Sequence, residues 1–194
     1  MAAYEKLNRH LVALKEGERV FENAFQSVAR MILGQGFDKV VVNGRTTYDF
    51  KLFRSGRKHT IGMYDEINSF VSYVKDAAEG GSSKEMAFVL VGEPGNGKTF
   101  FVEFLCTQYR AFLSLPKNRR YTFRFNGLSQ LGHYGKINII DSQTYEDPMI
   151  LAMNLFDSTE DNRRFLAEQG GLDEAAIDDL YENYRPLGAC SGYI

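Results

Sequence analysis

The residues best suited to chemistry form one short stretch, Gly92-Glu93-Pro94-Gly95-Asn96-Gly97-Lys98-Thr99. They match G-x-x-x-x-G-K-[ST], the pattern of a loop that binds phosphate groups. Its glycines let the backbone curl so that successive amide N–H groups point inward at the β- and γ-phosphates of a nucleotide. A helix that begins at the end of the loop adds unsatisfied N–H groups and the positive end of its dipole. The sequence therefore predicts a nucleotide-binding loop, against the alternative of a chance glycine-rich turn.

Each part of this loop has an expected role. The Lys98 ammonium neutralises charge on the β- and γ-phosphates, which makes it the expected catalytic residue. The Thr99 hydroxyl ligates the Mg²⁺ ion that bridges those phosphates. ATP and Mg²⁺ are thus the expected cofactors. The residues expected to bind the nucleotide here, in the stretch and directly after it, are Gly92, Glu93, Pro94, Gly95, Asn96, Gly97, Lys98, Thr99 and Phe100.

The segments on either side of the loop are those that the motif needs. Residues 86–91 (MAFVLV) form a short apolar run, which predicts a strand buried on both faces, as in a parallel sheet covered by helices. An apolar helical stretch follows the loop and is closed by Pro116. Residues 120–125 (RYTFRF) and 137–140 predict further strands. We therefore expect an α/β fold of three layers, with helices on both faces of a parallel sheet.

The rest of the chain is predicted to be mostly helical. Periodic apolar residues predict helices over 4–16, 18–33 and 64–79. Asn43-Gly44, between β-forming residues, predicts a hairpin. A further helix follows the capping residues Ser158 or Thr159 and ends at Gln169, and an acidic helix spans 172–184. We divide the chain into a helical lead-in segment with the hairpin, 1–59, and a nucleotide-binding domain, 60–194.

Residues 61–81 (IGMYDEINSFVSYVKDAAEGG) carry a second recognisable pattern ahead of the predicted strand and loop. The pattern G-M-x-D-x-I-x-x-x-V-S-Y-x-K-x-A-A-x-G is matched by Gly62, Met63, Asp65, Ile67, Val71, Ser72, Tyr73, Lys75, Ala77, Ala78 and Gly80. Together with the loop, this stretch resembles the AAA-type nucleotide-binding domain of PrkA-type serine protein kinases. The resemblance covers residues 60–127 and is looser over 141–194, while 1–59 resemble at best the helical lead-in of that family.

The resemblance implies a fold, an activity and partners. The fold is the AAA-type P-loop NTPase, a parallel sheet flanked by helices after a small helical N-terminal segment, here truncated at its C-terminal end. The activity is that of a serine protein kinase, an ATP-dependent transferase acting on a protein substrate, with catalysis incomplete in this chain alone. AAA-type domains also assemble into homo-oligomeric rings. The turn Ile61-Gly62-Met63 is expected to contact the adenine.

One acidic residue is a candidate to complete the Mg²⁺ site. Asp141 follows the predicted strand 137–140, where a P-loop ATPase carries an acid that holds the metal. The next residue is Ser142, however, where AAA-type proteins usually have Glu. Asp141 is therefore interpreted either as a metal ligand or as an ordinary residue at the end of a strand.

Composition excludes several other classes of protein. The chain is 44% hydrophobic and 25% charged, which is typical of a globular protein and not of a disordered one. No apolar run approaches the roughly 20 residues that cross a bilayer, so we expect a cytoplasmic protein without a membrane partner. The basic residues of 54–59 and 119–125 fit a solvated loop and an alternating strand, so we expect no nucleic-acid partner. The three histidines and two cysteines are scattered, so they predict no metal site.

Two other functions fit the same loop. A general AAA+ ATPase would use hydrolysis to remodel protein partners. A nucleotide-gated interaction module would bind ATP without turning it over and would dock through its uneven charge. Basic residues outnumber acidic ones over 1–136, and the reverse holds over 137–194.

Overall fold

The computed structural model describes residues 4–54, 63–132 and 135–183. The chain divides into a split unit, Met1–Phe21 with Pro116–Ile194, and a central unit, Glu22–Leu115. In chain order the elements are α1 (Leu7–Lys15), α2 (Ala24–Leu33), β1 (Phe37–Val42), β2 (Arg45–Phe50), α3 (Lys51–Arg54), α4 (Tyr64–Ala78), α5 (Lys98–Ser114), β3 (Arg124–Asn126), β4 (Ile139–Asp141), α6 (Pro148–Met153), α7 (Thr159–Gly170) and α8 (Glu174–Asn183). Short 3₁₀ turns lie at Ser82–Glu85, Pro116–Asn118 and Leu128–Leu131.

Helix α2 begins later than its apolar periodicity predicts, because capping sets its first turn. The Asn23 side chain accepts a hydrogen bond from the Gln26 amide, and the Gln26 side chain accepts one from the Asn23 amide. This reciprocal pair satisfies two amides that would otherwise lack a partner at the helix start. The helix predicted over 18–33 therefore begins at Ala24 and ends, as expected, before Gly34.

The hairpin predicted at Asn43-Gly44 is confirmed. Strands β1 and β2 pair antiparallel, with Val42 opposite Arg45 across the turn. Asn43 and Gly44 have φ angles of 51° and 75°, and a type I′ turn requires positive φ at both central residues. Asn-Gly suits this turn because both residues tolerate the left-handed region better than others do.

The central unit is built around an aromatic and aliphatic core. Helix α4 confirms the helix predicted over 64–79 and buries Ile67, Val71 and Val74. The rings of Phe53 and Phe101 stack with centroids 5.8 Å apart, which fixes α5 against α3. The buried members of this core are Met31, Ile32, Phe50, Leu52, Phe53, Ile67, Val71, Phe101 and Phe104.

The parallel sheet expected behind the loop is not formed, and the three-layer α/β prediction is wrong. Across the described residues there are two sheets, β1 with β2 and β3 with β4, and each is antiparallel and two-stranded. Helices make up most of the remaining structure. Residues 86–91, predicted as a buried strand, pair with no other strand. The AAA-type P-loop NTPase architecture therefore does not describe this chain.

The physical reason is that an apolar run indicates burial of the segment but does not show which strands pair with it. Along 86–91 burial alternates: Phe88 and Leu90 are half-buried, whereas Val89 is exposed. The Phe88 ring packs edge-on against Phe70 of α4, with centroids 5.3 Å apart. This segment is thus covered on one face by a helix, and no strand lies beside it among the described residues.

The split unit is a helical cluster. Helix α1 contacts α6 and α7, and α7 also contacts α6 and α8. Its core consists of Leu11, Met149, Ala152, Met153, Leu166, Ile177 and Leu180. The helix predicted after Ser158 is confirmed, since the Ser158 side chain accepts a hydrogen bond from the Asp161 amide and α7 follows. The predicted acidic helix is confirmed as α8.

Helix α6 was not predicted, although its start carries clear signals. The Asp147 carboxylate accepts a hydrogen bond from the Met149 amide, and Pro148 occupies the first helical position. Both are typical of a helix N-terminus. The strands predicted at 120–125 and 137–140 are shorter than expected, and as β3 and β4 they run antiparallel. No helix in the described part of the chain is long and apolar enough to span a bilayer.

Candidate functional site

The candidate site is the loop of residues 92–97, which leads directly into α5. Helix α5 begins at Lys98, and Gly97 precedes it in the left-handed conformation with φ 72°. Gly95 also has a positive φ, 89°. An L side chain is strained in that region, so glycine is required at both turns of the chain. The loop therefore bends at Gly95 and Gly97, and no sheet lies behind it among the described residues.

Lys98 folds back over the loop that precedes it. Its Nζ atom donates hydrogen bonds to the carbonyl oxygens of Gly92 and Glu93, each at 2.7 Å. An ammonium group has three donors, and these two carbonyls are its hydrogen-bond partners among the described residues. The positive charge is therefore held at the loop by neutral acceptors, which an anionic phosphate oxygen can replace with a stronger hydrogen bond between opposite charges.

The side chain of Asn96 joins Lys98 above Gly92, a point that the motif does not reveal. A Cβ atom added at Gly92 would stand 3.8 Å from Asn96 Nδ2 and 3.8 Å from Lys98 Nζ. Two N–H donor groups therefore converge over a residue that has no side chain. The motif predicts phosphate binding only by the backbone amide of Asn96, because any residue is allowed at this position.

The start of α5 supplies further donors. The Phe101 amide donates to the Gly97 carbonyl, 2.9 Å away, and closes the first turn of the helix. The preceding amides of the first turn, from Lys98 to Phe100, have no acceptor within the helix. Thr99 is exposed at this end, where its hydroxyl is available to a metal ion bound with phosphate.

Aromatic packing fixes the helix that carries these donors. Phe101 and Phe104 are buried in the core of the central unit. Phe100, expected to bind nucleotide, is half-buried, and its ring lies 6.2 Å from that of Phe104. Its side chain therefore serves packing, and its backbone amide is the part that faces the loop end of the helix.

Met63 is brought to the loop from the other pattern in the sequence. It is the residue before α4, and its carbonyl accepts a hydrogen bond from the Ile67 amide at 3.0 Å. Its sulfur lies 3.9 Å from where a Cβ on Gly97 would stand. Of the turn expected to contact adenine, Met63 thus lies beside the loop, while Ile61 and Gly62 lie outside the described residues.

Asp141, the candidate metal ligand, is held by an arginine. It lies opposite Arg124 in the pairing of β3 with β4. Both carboxylate oxygens accept hydrogen bonds from Arg124, one from Nε and one from Nη2, the latter at 2.9 Å. These hydrogen bonds hold the pKa of the Asp141 carboxyl below its ordinary value. Asp141 belongs to the split unit and the loop to the central unit, so its metal role stays a prediction.

Among the described residues, the other charged and histidine side chains considered in the sequence form no second site. Arg54 pairs with Asp38 and Asp49, while His59 and His133 lie outside the described residues. His10 is buried, with Nδ1 2.7 Å from Arg19 Nη1. Over the described ranges no three His, Cys, Asp or Glu side chains are grouped so that they could hold a metal ion.

Comparisons with protein-family models, with curated proteins and with solved structures find no match to this chain.

Proposed function

We propose that this protein binds MgATP at the loop of residues 92–97 and the start of α5. The observation that carries the proposal is the position of Lys98, whose ammonium lies over the loop on the carbonyls of Gly92 and Glu93. A cation held above a curled, glycine-rich backbone at a helix N-terminus is a site for a polyanion. The arrangement is local, so it does not require the parallel sheet that the fold lacks.

The proposed roles follow from the chemistry of each group. The Lys98 ammonium neutralises the β- and γ-phosphates, and backbone amides of 93–97 together with Asn96 Nδ2 donate hydrogen bonds to their oxygens. The Thr99 hydroxyl ligates the Mg²⁺ ion that travels with the phosphates. Glu93 is exposed on the same loop, where its side chain repels anions, so its contribution is through its backbone.

We further propose that the chain supplies the ATP-binding part of a PrkA-like serine protein kinase, which transfers phosphate to a protein. The support is the sequence pattern over residues 62–80 together with the position of Met63, its second residue. Met63 packs beside Gly97, so the pattern and the loop, which are separate in sequence, meet at one site. Contact of this sulfur with the adenine ring is part of the same proposal.

Titration calorimetry with MgATP tests binding directly. Lys98→Ala is expected to weaken binding at least about tenfold, because a charge-assisted hydrogen bond contributes about 1.5–3 kcal/mol. Lys84→Ala is the matched control, since Lys84 is an exposed lysine of the same unit within the 3₁₀ turn Ser82–Glu85. Equal affinity in the Lys98→Ala and wild-type proteins would exclude the proposed role.

The fate of the γ-phosphate separates the kinase from the other functions. Transfer of labelled phosphate to serine of a protein would support the kinase. Steady release of inorganic phosphate without transfer would support an ATPase that remodels partners. Binding with neither reaction would support a nucleotide-gated interaction module.

A further inference from the structure

The backbone of residues 87–91 is paired with no other described residue. On one side the Met86 amide donates to the Ser83 carbonyl, and on the other the Gly92 carbonyl accepts from Lys98. Between them, the amides and carbonyls of 87–91 have no hydrogen-bond partner among the described residues. Backbone amides and carbonyls are obligatory hydrogen-bonding groups, and an unpaired row of them is a template for another strand.

The side chains of this segment are apolar and only half covered. Phe88 packs on Phe70 and Tyr73 of α4, and Leu90 packs against the core of the central unit. Val89 and Val91 point away and are 71% and 89% exposed. The segment therefore has the alternation of a strand with one buried face, and neither of its edges is paired within the described parts of the chain.

We infer that residues 87–91 are an interface at which a second copy of this chain adds the same segment as an antiparallel strand. The stretch from Met86 to Gly92 carries no charge, so two copies do not repel each other along it. It equally offers no charge by which a different partner would be selected. Strand addition relies on main-chain hydrogen bonds, and closed two-fold pairs are the commonest assemblies of identical chains.

Symmetry fixes the register of this pair. The two-fold axis stands perpendicular to the new sheet, so each residue keeps its side chain on the same face in both copies. Full pairing of 87–91 then centres on Val89, which lies opposite Val89 of the second copy, with Phe88 opposite Leu90. Both half-buried side chains stay on the covered face. Glu85 of each copy lies opposite Glu93 of the other just outside the paired residues, and these two like-charged pairs weaken the dimer.

The area of such a pair sets the expected strength of association. Five residues on each side form an interface well below the roughly 1,000 Å² of stable complexes, so the dimer is weak and reversible. Sedimentation equilibrium from about 5 to about 500 µM spans the range expected for such an interface. We expect the mass to rise from 22.0 kDa towards twice that value as concentration increases, without added nucleotide.

Substitutions at matched valines test which surface is used. Val89→Lys places two ammonium groups face to face and is expected to raise the dimer dissociation constant at least about tenfold. Val91→Glu, which adds a carboxylate on the same face as Glu93 and diagonal to Glu85 of the second copy, is expected to do the same. Val41→Lys is the control, because Val41 is 72% exposed but lies in β1, whose backbone pairs with β2. All three sites are exposed, and circular dichroism checks that the variants stay folded.

Cross-linking tests the register. In a Cys106→Ser, Cys190→Ser background, Val89→Cys is expected to form a disulfide-linked dimer on air oxidation, because directly opposite residues have Cα atoms within the range that a disulfide spans. Val41→Cys is expected to cross-link much more slowly.

A monomer at every concentration would overturn the inference, and so would equal weakening by Val41→Lys. Open-ended polymers would contradict the closed pair. Amides of 87–91 that resist hydrogen exchange even at the lowest concentration would show pairing within one chain. Protection that appears only with a different protein would assign the edge to that partner instead.

Discussion

The sulfur of Met63 lies 3.9 Å from the point at which a Cβ atom on Gly97 would stand. Met63 is the residue before α4 and Gly97 the residue before α5. The starts of the two helices therefore lie close together at the proposed phosphate site. Gly97 has φ 72°, a conformation that costs an L residue roughly 1–2 kcal/mol. The geometry of the site thus depends on a position without a side chain.

Gly97→Ala is expected to lower the free energy of unfolding by about 1–2 kcal/mol and to weaken MgATP binding. The methyl group strains the left-handed turn and shifts the amides at the start of α5. Gly80→Ala is the control, because Gly80 has φ 86° and nothing lies within 4 Å of the added Cβ. It should cost similar stability, measured by urea unfolding, and leave calorimetric MgATP affinity unchanged. Equal losses of affinity in both variants would contradict a local role for Gly97.

Ser27→Ala is expected to stabilise the central unit. Ser27 is fully buried on α2, and its hydroxyl has no hydrogen-bond partner among the described residues. A buried unsatisfied polar group costs about 1–3 kcal/mol. Ser72→Ala, at an exposed position within α4, gains the same helix propensity without removing a buried hydroxyl. In urea unfolding we expect the free energy of unfolding to rise by about 1 kcal/mol more for Ser27→Ala than for Ser72→Ala. A Ser27→Ala protein less stable than wild type would show that the hydroxyl is satisfied.

The stability of the split unit is expected to fall in acid through Glu5. Its hydrogen bond with Arg19 holds the pKa of the Glu5 carboxyl below its ordinary value of 4.5. A carboxyl whose folded pKa is lowered stabilises above the unfolded pKa and loses that contribution as pH falls through the folded pKa. Glu5→Gln should therefore cost less than about 1 kcal/mol at neutral pH and nothing in strong acid.

Unfolding in urea at a series of pH values from neutral to strongly acidic measures this difference. Glu168→Gln is the control, since Glu168 is an exposed glutamate of α7 in the same unit. A Glu5→Gln effect that is the same at neutral and acid pH would mean that the carboxylate charge is not its cause.

Asn23→Ala is expected to destabilise the central unit by about 1 kcal/mol, because the capping box at the start of α2 is lost. The Gln26 amide would lose its acceptor, the Asn23 side chain. Asn23→Ser should restore most of the stability, since serine caps in the same way. Thermal unfolding measures both variants, and an unchanged midpoint for Asn23→Ala would show that α2 does not depend on its cap.

Local elements of this chain could be predicted because their signals lie within a few residues. The turn of the hairpin requires positive φ at two neighbouring residues, Asn43 and Gly44 tolerate it, and the hairpin is formed. The apolar stripe of α4 repeats at helical spacing, and the helix is formed. The curl of the loop follows from glycines at 95 and 97, and Lys98 lies over it. In each case the hydrogen bonds that make the structure join residues close in sequence.

The sequence by itself thus predicted the helices other than α6 and the short α3, the hairpin, and the turns at Gly95 and Gly97 ahead of Lys98. Only the tertiary structure decided whether strands lie beside the apolar run 86–91. Among the described residues none does, and helix α4 covers one face of the run instead. The tertiary structure also decided that Met63 packs against Gly97 and that Arg124 holds Asp141. The reason is physical, because sheet pairing and side-chain contacts depend on groups far apart in the chain. Hydrophobic periodicity indicates which residues are buried but not which residues they pack against.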